Sequence, residues 1–247
     1  MDAISVLKKE FLIVMDEFNE STPIRSLLCG ELSLDQYKCI LREIYHYAKE
    51  DPQIQALAAV FFRGKDRDFV KMFFKHATME IGHDQMALND LAVLGEDISL
   101  IPSTNPLPTT IGLISFPFYQ INYLNPIGYL GYLYFLEYMP TQQGAAYGDA
   151  LAKNGVPQES MSFLVEHMTV DVGHNKLMEK YLEGLVHNSD DLDSVVYAMK
   201  VTAQLYAQML QGAMQQTEVR RDYGYASSEK RRQVSATIAL ASNVRQN

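Results

Sequence analysis

The residues of this chain best placed to do chemistry lie between Phe163 and Leu177, in FLVEHMTVDVGHNKL. At 3.6 residues per turn, Phe163, His167, Val170, His174, Leu177 and Tyr181 form one row. Leu164, Met168, Asp171, Met178 and Leu182 form the next. Two histidines and an aspartate therefore sit inside an apolar stripe, where a surface helix carries only hydrophobes. Buried ionisable groups are costly unless they are hydrogen-bonded, paired or bound to metal. The spacing His167-x-x-x-Asp171-x-x-His174 gathers three metal-ligating side chains on one arc of a helix. The same three can also satisfy one another as a hydrogen-bonded core cluster, and one helix cannot fill a metal's coordination sphere.

Other segments place carboxylates on apolar faces. Glu80 shares a row with Phe69, Phe73 and His76, while His83 falls beside Met79 and Met86. Glu80-Ile-Gly-His83 has the i, i+3 spacing that lets one helix aim two ligands at one metal, although such pairs are common on surfaces. Glu137 stands in LGYLYFLEYM, with no other charge for a turn and a half on either side. A carboxylate there must meet a cation, accept strong hydrogen bonds or keep a proton. Glu43 lies on the face of Ile40 and Tyr47, but Arg42 is adjacent, so a salt bridge is the alternative. Glu43-x-x-His46 repeats the Glu80 spacing, and His46 reads as a pocket residue. His76 reads as packed beside the site, and His187 as surface. The candidate ligands are Glu43, Glu80, His83, Glu137, His167, Asp171 and His174, with Glu80, Glu137 and Asp171 as the expected catalytic carboxylates. Carboxylates and imidazoles without thiolates suit iron or manganese, with bridging carboxylates holding two ions.

The elements that must position these residues all read with helical period. The sequence predicts helices over 3–19, from the capping-box-like Ser33-Leu34-Asp35-Gln36 to about Glu50, on to about Phe62, and over 66–94 as far as Gly95. Residues 96–108, with Pro102, Pro106 and Pro108, read as a loop. A segment from Thr110 to Leu124 is expected to break at Pro117, and the helix begun at Asn125-Pro126 to bend at Pro140. Pro157 opens the helix of the histidines, and a last long helix spans about 190–217. The tail from Glu218 is polar, with one more amphipathic piece near 228. This is an all-α chain, expected to form a single domain over 1–247 as a bundle of seven or eight helices.

Composition narrows the partners. The 247 residues are 47% hydrophobic, enough for a substantial core, and the net charge of −9 disfavours nucleic acid. Cys29 and Cys39 are the only cysteines, so a reducing cytoplasm is the expected compartment. The opening MDAISVLKKE lacks a long apolar core, so no signal peptide is expected. The apolar run from Ile111 to Met139 is interrupted by Gln120, Asn122, Asn125, Pro126 and Glu137, which argues against a membrane span.

The order Glu43, Glu80-x-x-His83, Glu137 in an aromatic helix, then His167-x-x-x-Asp171-x-x-His174 resembles the haem-oxygenase-like di-iron oxidases and oxygenases. They share a superfamily with the TenA thiamin-salvage proteins and the cofactor-free PQQ-synthesis oxidase. The resemblance spans about residues 33–185. It implies a bundle with a central cavity, two Fe(II) ions, dioxygen as co-substrate, and oxidation or cleavage of a small or acyl substrate. It makes Glu43 the outlying carboxylate and Glu137 the bridging one. An electron donor and a homodimer are compatible with it; nucleic acid and membrane are not expected as partners. Phe116, Phe118, Tyr119, Tyr134 and Tyr138 are the expected cavity lining. Two alternatives are a TenA-like thiamin-salvage or other metal-free enzyme, and a non-catalytic helical binding module. Against the first, no cysteine follows Cys39 to serve as the mid-chain nucleophile of TenA-like hydrolases.

Overall fold

The structure is a computed structural model that describes residues 2–61, 67–216 and 219, without the side chains of residues 170–172. The predicted amphipathic piece near 228 lies outside the described residues. These form ten α-helices and no strand. They are α1 (Ala3–Asn19), α2 (Thr22–Leu28), α3 (Leu34–Ala48), α4 (Asp51–Val60), α5 (Arg67–Glu80), α6 (His83–Val93), α7 (Pro108–Tyr123), α8 (Tyr129–Lys153), α9 (Ser162–Leu185) and α10 (Ser189–Met214). Among the described residues, no helix is long and apolar enough to cross a membrane.

Helix α8 is the centre of the bundle. It is apolar on nearly every side, and α9 and α10 pack along it. Its approach to α10 is close because Gly131 has no side chain: a Cβ there would overlap the carbonyl oxygen of Val195. Around this pair, α3 packs on α6 and α10, α4 on α5, and α7 on α10. Buried residues of all these elements merge into one core that includes Phe11, Phe73, Tyr129, Phe135, Tyr181 and Met199.

Local chemistry sets the ends of the ligand-bearing helices. Ser33 and Gln36 form the reciprocal capping box that opens α3. The helix expected over 66–94 is two helices. Gly82 adopts φ +104, a left-handed conformation that a residue with a side chain rarely tolerates, and the chain turns there between α5 and α6. The break expected at Pro117 is absent, because helix α7 runs through it; α8 likewise continues through Pro140. Proline removes one backbone hydrogen bond, and both prolines are buried. The loop at 96–108 contains a short 3-10 helix, Ile98–Ser103, and α2 is a helix that sequence periodicity did not mark.

Candidate metal centre

Four helices bring five of the candidate ligands, together with His76, into two overlapping donor groups. His76, Glu80, Glu137 and His174 form one, and Glu80, His83 and His167 the other. Within each, the ligand atoms lie within 4.8 Å of one another. His76 and Glu80 share one face of α5, four residues apart. The turn at Gly82 then swings His83, the first residue of α6, back onto Glu80. The E-x-x-H pair therefore converges through a break in the helix rather than along one.

Glu80 links the groups with both of its oxygens. Its Oε1 lies 3.3 Å from His76 Nε2 and 3.5 Å from His174 Nδ1, while Oε2 lies 2.7 Å from His83 Nδ1. Glu137 Oε1 is 3.0 Å from His76 Nε2, and its Oε2 is 3.0 Å from His174 Nδ1. The family resemblance gives the bridging role to Glu137; the geometry places Glu80 in both groups. The His83 and His167 rings meet edge-on with centroids 4.7 Å apart.

Several short contacts lack hydrogen-bond directions. His76 Nε2, Glu80 Oε1 and His83 Nδ1 are buried and have no hydrogen-bond partner. Buried ligand atoms gathered within 4.8 Å of one another and left without hydrogen bonds suit a cation between them. His167 adds a second indication. Its Nδ1 lies 2.6 Å from the Phe163 carbonyl oxygen, which can only accept, so Nδ1 carries the hydrogen and Nε2 keeps its lone pair. Among the described residues no lysine or arginine ion-pairs with Glu80 or Glu137. This all-oxygen-and-imidazole donor set fits iron.

The electrostatics are those of a compact charge cluster. Burial would raise the Glu80 and Glu137 carboxyls, but the histidines beside them hold both below the ordinary carboxylate range. Burial would lower His76, yet Glu137 and Glu80 raise it above its ordinary 6.5. Burial and the neighbouring His83 lower His167.

A carboxylate fixes the register of α6 against α9. Asp90 of α6 is buried, and its Oδ1 and Oδ2 accept from Ser162 N at 2.9 Å and Phe163 N at 3.0 Å. Ser162 Oγ donates to it as well, at 2.6 Å. These backbone groups are donors that a helix start leaves unpaired. Asp90 thereby ties the helix of His83 to the helix of His167 and His174.

Two sequence-predicted ligands are in neither group as described. Asp171 lies on α9 between His167 and His174, but its side chain is outside the described residues. Glu43 belongs to neither donor group. Its Oε2 accepts from Leu107 N at 2.9 Å and from the Thr110 hydroxyl, and Arg42 lies 3.5 Å from its other oxygen. His46 joins the same anchor, with Nε2 3.0 Å from Thr104 Oγ1. These contacts of Arg42, Glu43 and His46 pin residues 104–110 to α3. Sequence reasoning set His76 beside the site; its signal was the four-residue step to Glu80 on the same apolar row.

Two spaces adjoin the donor groups. One, of ≈ 120 Å³, is walled mainly by apolar residues of α2, α3 and α8–α10, among them Ile24, Ile44, Met139 and Leu210. The other, of ≈ 40 Å³, is lined by Glu80 and Glu137 together with Asp51, Gln55 and Tyr132. Tyr47, Leu136 and His167 line both. The aromatics expected as lining are elsewhere. Tyr134 and Tyr138 stack at 4.0 Å beside Phe11, Phe116 and Phe118 pack on the core, and Tyr119 is exposed.

The family described as iron-containing redox enzyme matches residues 39–207. No curated protein matches the chain. A domain of unknown function with a haem-oxygenase-like fold from Shewanella denitrificans is 27% identical, with a TM-score of 0.77, covering 91% of this chain and 99% of that one. A TenA homologue from P. horikoshii is 12% identical, with a TM-score of 0.71 and coverage of 87% and 99%. A TenA homologue from Pseudomonas syringae is also 12% identical, with a TM-score of 0.68 and coverage of 87% and 93%. At that identity the TenA homologues share the fold alone. The family match covers more than half of the chain, the fold is the haem-oxygenase-like one, and the protein belongs to the iron-containing redox enzyme family.

Proposed function

We propose that this chain is a non-haem di-iron oxidoreductase that uses dioxygen to oxidise or cleave a small or acyl substrate. The observation that carries the reading is Glu80, which turns one oxygen toward each of two donor groups. A single carboxylate shared in this way is the arrangement that holds two ions side by side.

His76, Glu80, Glu137 and His174 would hold one ion, and Glu80, His83 and His167 the other, with Asp171 of α9 as a further ligand. When bound, iron supplies reducing electrons and open coordination positions for dioxygen. The protein's own part is electrostatic and steric. Glu80 and Glu137 are held ionised and offset the charge of the ions. The Phe163 carbonyl fixes the His167 tautomer, leaving Nε2 available to coordinate. The apolar cavity excludes water and holds the substrate body, and His167 in its wall marks where that body meets the centre. Neither Cys29 nor Cys39 lines either space, so no observation favours a thiol nucleophile.

The test is oxygen uptake by chain loaded with Fe(II) under nitrogen and then mixed with aerobic buffer. The reading predicts iron-dependent uptake that Glu80→Gln abolishes. A fully loaded chain that consumes no oxygen, alone or with apolar additives, would contradict it.

A further inference from the structure

Between Asp97 and Glu137 the chain carries no Asp, Glu, Lys or Arg, although 21% of its residues are charged. Much of that run is buried in α8, but α7 lies at the surface. The inner face of α7, with Leu113, Pro117, Gln120 and Ile121, packs on α10, α3, α4 and α8. Its outer face carries Ile111, Ser115, Tyr119 and Asn122 at steps of four, four and three, all exposed. Tyr123 beside them is 77% exposed and stacks with Tyr119 at 5.5 Å. Tyr197 of α10, 52% exposed, lies edge-on to Phe116 and extends the face. A surface helix ordinarily turns charged residues to solvent. This one turns aromatic and aliphatic side chains, and none of the described residues covers them.

The charge pattern selects what covers it. The net charge is −9, so two copies of the chain repel wherever their charged surfaces meet. In an isologous pair one patch faces itself across a two-fold axis, and any charge near the axis meets its own sign. A face without charge is what such a pair requires. A lipid surface is instead drawn by Lys and Arg on the helix that meets it, and α7 has neither. A partner of unlike sequence is selected by complementary charge, and this face offers none. Tyrosine and phenylalanine with charge excluded is also the composition of interface cores.

We propose that the outer face of α7 is the contact through which two copies of this chain pair. Ser115 lies at the middle of the face, one turn from Ile111 and one turn from Tyr119. With the two helices antiparallel across the axis, the small Ser115 side chains meet each other, and Ile111 of each copy packs on Tyr119 of the other. The area suffices for a reversible pair. At about 150–250 Å² for a whole aromatic side chain, the exposed parts of Tyr119, Tyr123 and Tyr197 offer roughly 350 Å² per copy. Ile111, Phe118, Asn122 and Leu124 bring the face near the ~600 Å² per partner at which specific interfaces begin. A pair of that size dissociates on dilution. The inference does not depend on the di-iron reading.

Sedimentation equilibrium of the full chain from ~1 to ~100 μM, the range of weak reversible association, tests the pairing. The proposal predicts a mass that rises from one 28.0 kDa chain toward two. Raising NaCl from ~0.05 to ~0.5 M, which screens the like net charges, should tighten the pair. Ser115→Glu and Ser115→Lys each set like charges against each other at the axis, and each should weaken pairing at least tenfold. An equal mixture of the two variants should pair again, because the charges across the axis are then opposite. Ser115 is exposed, so both variants should keep the parent's thermal melt; the parent's own mass and salt response need no variant to fold. A parent that stays single at the top of the range would overturn the proposal. If that single chain then cosediments with neutral phosphatidylcholine vesicles, the face belongs to a lipid surface instead. A pair that salt loosens, a folded Ser115→Glu that pairs as the parent does, or a mixture that stays single would also overturn it.

Discussion

Replacing Glu137 by Gln separates a metal ligand from a residue that merely holds the fold. Without metal, the carboxylate sits 3.0 Å from both His76 Nε2 and His174 Nδ1, inside the bundle. The substitution weakens two charge-assisted contacts, each worth about 1.5–3 kcal/mol. It also removes a buried charge whose desolvation costs several kcal/mol. These terms oppose each other, so the metal-free variant should differ from the parent by no more than about 2 kcal/mol. Iron changes the comparison. At a free Fe(II) concentration a hundredfold above Kd, one site stabilises the parent by about 2.7 kcal/mol. In a chain of this size that is a shift of roughly 5–11 °C in Tm. Altering a group that only supports a ligand costs 10–100-fold in affinity, and losing a ligand should cost at least the upper figure. At the same Fe(II) concentration the variant would then gain about 0.4 kcal/mol, or ~1 °C. Anaerobic thermal melts of both proteins with and without Fe(II) measure this directly. An iron-induced shift in Glu137→Gln as large as the parent's would refute the assignment, whatever the metal-free stabilities.

Three further predictions follow from the geometry. Glu43→Gln should leave iron uptake unchanged and lower stability by about 1–3 kcal/mol, because it weakens the anchor of residues 104–110; calorimetry and iron counting on the purified variant check both halves. Asp90→Ala should cost about 1–3 kcal/mol in a denaturant titration through the lost α9 cap. It should also weaken iron binding although Asp90 touches no donor group; unchanged affinity would mean that α9 holds its place without it. In the metal-free chain, the raised His76 contributes stability that is fully present below 6.5 and lost as pH rises through its folded value. The depressed Glu80 and Glu137 contribute stability present above 4.5 and lost as pH falls through their folded values. Coordination needs neutral imidazoles, so iron should add more stability as pH rises from about 6.5 to 8.5, and melts in which the gap narrows would contradict this.

What the sequence made legible was whatever a single helix displays by itself. The row holding His167 and His174 was readable because period and burial coincide on α9. Glu137 was readable because no other charge stands near it along α8. Where a partner is remote, a single helix does not display it. A carboxylate on an apolar face looks the same whether it waits for metal or for a backbone amide, and the Leu107 and Thr110 groups that occupy Glu43 lie more than sixty residues away in the chain. The turn at Gly82 was hidden because the residues on both sides favour helix, although it is the turn that brings His83 onto Glu80. Asp51 read as an ordinary acid in the first turn of a helix. Only the packing of α4 against the centre gives it a place beside Glu80 and Glu137.

The central claim is that Glu80 joins two metal positions, and anaerobic Fe(II) titration of the parent and of Glu80→Gln tests it most directly. The account predicts close to two tightly bound Fe(II) per chain in the parent and loss of both classes of site in the variant. No tight uptake by the parent, or two ions retained by a folded Glu80→Gln, would contradict it.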